Sequence, residues 1–300
     1  MAPAQALSPR AFVMLLLLAC MFGGNHVAAR FALDHGMDVA SAVAVRSLAT
    51  ATVVAVIVGL YRVPLALTPR HRKMMPLIAL LVGVQSLCLY SAVARIPVGL
   101  ALLAFNTYPL WTAAAVWAIY GHPPERAVLI AMPVILLGLA LALDVSGAAS
   151  GLGLQAQWLR IGGGVGFALV AAACFGLVLA LTQHEVADLD GRLRTALTMG
   201  IVGVLALLAS LAQGGLHWPD AAAGWWGLAL LTLLYGTAFT IMFTLLPKLG
   251  VVGNSPILNV EPVAALALAW LLLGQSVSMV QMLGALLVVG TVMVLGLRRR

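Results

Sequence analysis

Residues 104–124 read AFNTYPLWTAAAVWAIYGHPP, and residues 257–278 read ILNVEPVAALALAWLLLGQSVS. Asn106, Pro109, Trp117 and Gly121 of the first stretch return in the second as Asn259, Pro262, Trp270 and Gly274. Each set spells N-x-x-P-x7-W-x3-G. The offset is 153 residues (259 − 106) in a chain of 300, and Ala114 and Ala267 match inside the pattern. An offset close to half the chain points to an internal duplication.

The composition says where the duplicated unit resides. Hydrophobic residues make up 63% and charged residues 8%, against about 25% charged in a soluble domain. Such a chain belongs in a lipid bilayer. Apolar runs mark ten spans: 11–33, 38–60, 74–94, 97–119, 126–144, 160–183, 194–213, 223–246, 252–273 and 278–297. Each is near the ~20 residues that cross ~30 Å of hydrocarbon as a helix. A barrel would show short alternating strands instead.

The net charge of +7 is a statement about topology and gives no reason to expect nucleic acid. Arg10, Arg62, Arg70, Arg72, Lys73, Arg126, Arg192, Arg194, Lys248, Arg298, Arg299 and Arg300 all fall on one side of the expected spans, twelve of sixteen basic residues. Arg95 and Arg160, with Asp34, Asp38, Asp144 and Asp220, fall on the other. The positive-inside rule puts both termini in the cytoplasm, in a multi-pass protein of the cytoplasmic (inner) membrane. Cys20, Cys88 and Cys174 each lie within a span and read as packing residues. Arg10 followed by an apolar run to Ala28-Ala29 imitates a signal peptide, but nine further spans favour an uncleaved first helix.

The segment 145–159, VSGAASGLGLQAQWL, is the longest Gly/Ser/Ala-rich break. It divides the chain into residues 1–148 and 149–300, five spans each. Five is odd, so the second copy enters from the opposite side. The expected fold is an all-α integral membrane protein of ten transmembrane helices, arranged as two inverted five-helix repeats. Phe22-Gly23 and Phe175-Gly176 match weakly at the same offset. Pro109 and Pro262 remove a backbone donor and crowd the carbonyls of Phe105 and Leu258, so both helices should kink. The asparagine three residues earlier either satisfies a freed backbone group or belongs, with Ala113 and Trp117, to a stripe that only packs helices.

Several stretches together resemble one family. MFGGNHVAARFAL (21–33), AVAVRSLATATVVAVI (42–57), YGTAFTIMFTLLPKLG (235–250) and the two quoted stretches follow the order of motifs in EamA-type exporters of the drug/metabolite transporter superfamily. The resemblance covers nearly the whole chain. It implies ten spans in two inverted repeats and export of amino acids or similar metabolites, aromatic or neutral amino acids among them. The family usually places Glu after the glycine that ends the fourth and ninth spans. This chain has His122 and Gln275 there.

Polar residues inside the spans are functional candidates. Glu261 is the acidic residue deepest in a span. It either faces a transport cavity and takes a substrate amine or a proton, or is a protonated, hydrogen-bonded carboxyl that locks the ninth span to a neighbour. Tyr108 is its counterpart across the 153-residue offset. Asn25 and His26 follow Gly23-Gly24, which loosen the first helix. Gln85 and Tyr90 lie on the third span. Tyr235 and Thr240 lie on the eighth, where Thr237, Thr240 and Thr244 form a stripe suited to interhelical hydrogen bonds or a cavity wall. Arg46 either snorkels to the outer surface, as Arg30 should, or draws an anion inward. His26 has no second ligand spaced to form a metal site. GGGVGFAL, from Gly162, lacks the Lys-Ser/Thr of a phosphate loop and reads as close helix packing.

These features lead to a secondary transporter of small metabolites, without cofactor, coupled to an ion (plausibly a proton through Glu261) or running downhill. Its partners would be a small-molecule substrate and lipid. A drug exporter of the same fold, a channel or scaffold, and a membrane enzyme are the other readings. An enzyme would need a clustered nucleophile, metal site or carboxylate pair.

Overall fold

The computed structural model describes residues 9–124, 126–147, 150–244, 260–275 and 278–298. Among them are eleven helices and no strand: α1 Pro9–Leu33, α2 Val39–Leu60, α3 Pro69–Arg95, α4 Val98–Phe105, α5 Tyr108–Tyr120, α6 Arg126–Ala142, α7 Leu154–Glu185, α8 Gly191–Ala212, α9 Ala222–Thr244, α10 Glu261–Leu273 and α11 Met279–Arg298. Seven described stretches are long and apolar enough to cross a membrane, with α4 and α5 counted together as Val98–Tyr120. Apolar helices at Arg126–Ala142, Glu261–Leu273 and Met279–Val294 are shorter.

The fourth expected span is broken rather than kinked. Pro109 has no N–H to give the Phe105 carbonyl, and the chain relaxes one turn earlier. Asn106 sits at φ −67°, ψ 0° and Thr107 at φ −73°, ψ −6°. The Leu110 N–H then bonds the Thr107 carbonyl at 2.9 Å. Thr107, not Asn106, satisfies a loosened backbone group: its hydroxyl donates to the Ala104 carbonyl at 2.8 Å. The Asn106 amide nitrogen is buried without a hydrogen-bond partner. α10 opens in the same way, with Val260 at φ −74°, ψ −13° and Pro262 in its first turn. Asn259 lies outside the described residues. α5 and α10 end alike too, at Gly121 (φ 73°) and Gly274 (φ 62°), the left-handed position that glycine fills most easily. The expected stripe does not survive the break, since Asn106 and Ala113 are buried while Trp117 and Trp270 are 58% and 62% exposed.

Two helices start earlier than the apolar runs suggest. Thr68 caps α3 through a capping box with His71, and Pro69 occupies its first turn, which adds polar residues to an apolar helix. α7 begins at Leu154, directly after Gly153 at φ 77°.

Small residues let neighbouring backbones touch. A Cβ at Gly176 of α7 would lie 2.7 Å from Thr112 N and Trp111 Cβ of α5. A Cβ at Gly23 of α1 would lie 3.0 Å from Ala265 N and Glu261 O of α10. Gly23 and Gly176 are 153 residues apart, and so are Thr112 and Ala265. Further pairs are α2 with α8, α3 with α7, α1 with α9, α6 with α11 and α4 with α10.

Polar side chains lock the helix ends. At one end Arg70 meets Glu185 at 2.8 Å, the Tyr120 hydroxyl donates to Glu185 at 2.7 Å, and His71 Nε2 lies 3.0 Å from Asp188. Arg62 in the turn after α2, Arg70, Arg72 and Lys73 at the start of α3, and Arg192 and Arg194 at the start of α8 lie at that end. The His71 hydrogen bond holds the Asp188 carboxyl below the usual value. At the other end Asp38 caps α2, accepts from Ser41 and lies 3.0 Å from His217 Nδ1. Burial pushes the Asp38 carboxyl up, but the Ser41 hydrogen bonds and the His217 imidazole outweigh it and leave it below the usual value. Gln275, at the position where Glu is usual, accepts the Val98 N–H at 3.1 Å and so caps α4.

Candidate functional site

α1, α2, α3, α9 and α10 bring together the polar residues that the bilayer should exclude. Arg46 lies seven residues into α2 (46 − 39), about 10 Å along the helix at 1.5 Å per residue. It is 2% exposed, so the outward snorkel is not what forms. The stem is too deep along the helix and turns toward α3 and α9. Its Nη1 donates to the Tyr90 hydroxyl at 3.1 Å and its Nη2 to Ser86 Oγ at 3.2 Å. The guanidinium also stacks over the Tyr235 ring at 3.9 Å and the Tyr90 ring at 4.9 Å, a favourable cation–π arrangement. The Tyr90 hydroxyl donates onward to Asn25 Oδ1 at 3.2 Å. Asn25 is fully buried.

Next to Asn25, His26 Nε2 lies 3.3 Å from Glu261 Oε1. The His26 ring packs against Tyr90 with centroids 5.6 Å apart. One network therefore runs Ser86–Arg46–Tyr90–Asn25, and the His26–Glu261 pair abuts it through Tyr90. Gly23, one helical turn before His26, allows α10 close enough for that pair to form. Glu261 also lies within electrostatic reach of Tyr90, Tyr108 and Tyr235.

Aromatic rings wall the network on two sides. Phe22, Tyr235 and Phe239 form one group, with centroids 4.5 to 6.3 Å apart. Phe105, Tyr108 and Phe175 form the other at 5.1 to 5.7 Å. Phe22 and Phe175 are again 153 residues apart.

Of the residues singled out in the sequence, Asn25, His26, Tyr90, Tyr235 and Glu261 converge here, and Tyr108 stands in the second aromatic group. Gln85 lies at the edge, accepting from Ser86 at 3.4 Å. Thr240 donates to the Gly236 carbonyl of its own helix at 2.8 Å. The Thr244 side chain is outside the described residues. Arg30 bonds Asp34 at 2.9 Å and the Val93 carbonyl at 2.7 Å. Sequence reasoning passed over Ser86 and Phe239, took Phe22 only as part of a repeat match, and left Arg46 open between an outward snorkel and an inward anion site. The depth of Arg46 in α2, and Thr50 one turn below it, were the signals available.

An all-helical membrane protein with a buried polar network between its helices is built as membrane transporters are. The EamA-like transporter family model matches this chain twice, at residues 9–143 and 162–297. The chain belongs to that family, within the drug/metabolite transporter superfamily. No curated protein matches it. A crystal structure of a protein with 17% sequence identity superposes with a TM-score of 0.61, over 94% of this chain and 96% of that one. At that identity the likeness speaks for the fold alone.

Proposed function

We propose that this protein is a secondary transporter that exports neutral or hydrophobic amino acids, or closely related metabolites, across the cytoplasmic membrane by alternating access. The observation that carries this reading is the polar network of α1, α2, α3 and α10, buried between aromatic walls in a member of a transporter family.

The helix pairing supports ten spans in two inverted repeats, divided near residue 148. Take α4 with α5 as the fourth span and α10 as the end of the ninth. A shift of five spans then turns α3·α7 into α9·α1, α5·α7 into α10·α1, and α3·α8 into α9·α2, all observed contacts. The pairs α2·α8, α6·α11 and α4·α10 map onto themselves. Two equivalent halves can exchange conformations around a shared site. The gathering of basic loops at one end supports cytoplasmic termini.

The His26–Glu261 pair is the coupling element in this reading. A carboxylate facing an imidazole inside a bilayer can take up or release one proton as its surroundings open to either side. The test uses proteoliposomes preloaded with single amino acids, with and without a pH gradient. Wild type should show saturable exchange that responds to the gradient. Glu261→Gln should keep exchange and lose the response. An unchanged response in Glu261→Gln would reduce the pair to helix packing.

A further inference from the structure

We propose that Arg46 is the binding site for the carboxylate of the substrate, and that the substrate amine is dispensable for recognition. This rests on the transporter reading and sharpens it to a substrate class: apolar monocarboxylates, with amino acids as one case.

Arg46 is a buried charge facing no counter-charge among the described residues. Arginine is ionised in any protein environment. Arg46 is 2% exposed, yet among the described residues no carboxylate lies within ion-pair distance of it. The intramembrane acid, Glu261, is engaged with His26. A buried cation of this kind is normally paired.

Around the guanidinium the hydrogen-bond deficit is one of acceptors. Guanidinium carries five N–H donors, and Arg46 uses two of them, on Tyr90 and Ser86. Its Nε is buried without a partner. Asn25 Nδ2, on the far side of the Tyr90 hydroxyl, is also buried without a partner. Both orphaned atoms are donors only. What they lack is an acceptor with several lone pairs and a negative charge, and a carboxylate supplies both. An amine would add donors beside a guanidinium that already has too many; the unpartnered Nδ1 of His26 belongs to the neighbouring His26–Glu261 pair.

The surroundings fit an apolar remainder. Tyr235 covers the guanidinium at 3.9 Å and continues into Phe22 and Phe239. The ring covers a face of the guanidinium, whereas a carboxylate meets the N–H donors at its edge, and the ligand's side chain then meets the aromatic wall.

The test compares L-phenylalanine, 3-phenylpropanoate (which lacks the amine) and L-phenylalaninamide (which lacks the carboxylate) on the purified full-length protein. Each is scored as a competitor of labelled phenylalanine in counterflow, and as a stabiliser of the detergent-solubilised protein against heat. The first two should compete within about tenfold of one another, and the amide should be weaker by roughly 10- to 150-fold, the range for losing one hydrogen bond to a charged group. Arg46→Lys keeps the charge but loses the planar fork. It should weaken phenylalanine and 3-phenylpropanoate by about tenfold and leave the amide unchanged. An amide that competes as well as the acids would overturn the Arg46 assignment while leaving transport intact. If nothing is transported, the transporter reading fails. Stabilisation by 3-phenylpropanoate that Arg46→Lys weakens would still uphold the anion site, and no stabilisation would overturn it as well.

Discussion

A methyl group added at Gly176 or Gly23 probes the helix contacts around the site. The Gly176 methyl would lie 2.7 Å from Thr112 N and Trp111 Cβ, and 2.8 Å from Trp111 C. Comfortable carbon contacts begin near ~3.5 Å, so α5 and α7 must part by roughly 0.8 Å. Two of those three atoms are backbone, and no rotamer change relieves them. The Gly23 methyl would lie 3.0 Å from Ala265 N and Glu261 O, a shortfall of roughly 0.5 Å against the same contact distance. Overpacking of this kind costs about 1–3 kcal/mol. Gly176→Ala should fall in the upper half of that range and Gly23→Ala in the lower. Gly166→Ala on α7, with open space around it, should be neutral or stabilising by up to ~1 kcal/mol. Denaturation of the three variants in one detergent checks the order. Gly23→Ala carries a second consequence: moving α10 off α1 opens the 3.3 Å His26–Glu261 contact, so the pH response of transport should fade while Gly176→Ala retains it. If Gly176→Ala proves as stable as Gly166→Ala, the close approach of α5 and α7 is wrong.

Thr107→Val removes one hydrogen bond to the Ala104 carbonyl, which keeps the Thr107 N–H at 3.3 Å, and should destabilise by about 0.5–1.5 kcal/mol, the net worth of one hydrogen bond, measured by the same denaturation. Gly121→Ala and Gly274→Ala place a side chain in left-handed backbone with no atom within 4 Å. Each should cost about 1–2 kcal/mol, and similar values would agree with their equivalent positions. Asp38 is held below its ordinary value, so its contribution is fully present above the unfolded pKa near ~3.9 and is lost as pH falls through the lower folded value. Melting temperatures followed downward from about pH 5 should therefore drop more steeply for wild type than for Asp38→Asn.

The helical character, the membrane setting and the place of the disturbance at Pro109 were legible in the sequence because they follow from composition and from the chemistry of single residues. The match between Phe22-Gly23 and Phe175-Gly176 was faint as sequence, yet it marks two equivalent places, among several, where helix backbones touch. Two residues per helix cannot announce a packing contact that depends on a partner 64 or 242 positions away (176 − 112 and 265 − 23). Asn25, His26, Tyr90 and Glu261 could be named individually because polar residues are rare in these spans. Their connection could not, since it depends on how α1, α3 and α10 rotate about their axes. The sequence left Arg46 open between an outward snorkel and an inward draw on an anion, because an arginine near a helix end can reach water. Only the positions of Tyr90, Ser86 and Tyr235 reveal an inward site able to hold a guanidinium.

Counterflow by purified wild-type protein tests the central claim most directly. Liposomes preloaded with unlabelled leucine or phenylalanine should take up the labelled amino acid transiently above equilibrium, with a rate that saturates as external concentration rises. Uptake that rises linearly without saturation, or no uptake of any amino acid or related carboxylate, would contradict alternating access around the Arg46–Tyr90–Asn25 network.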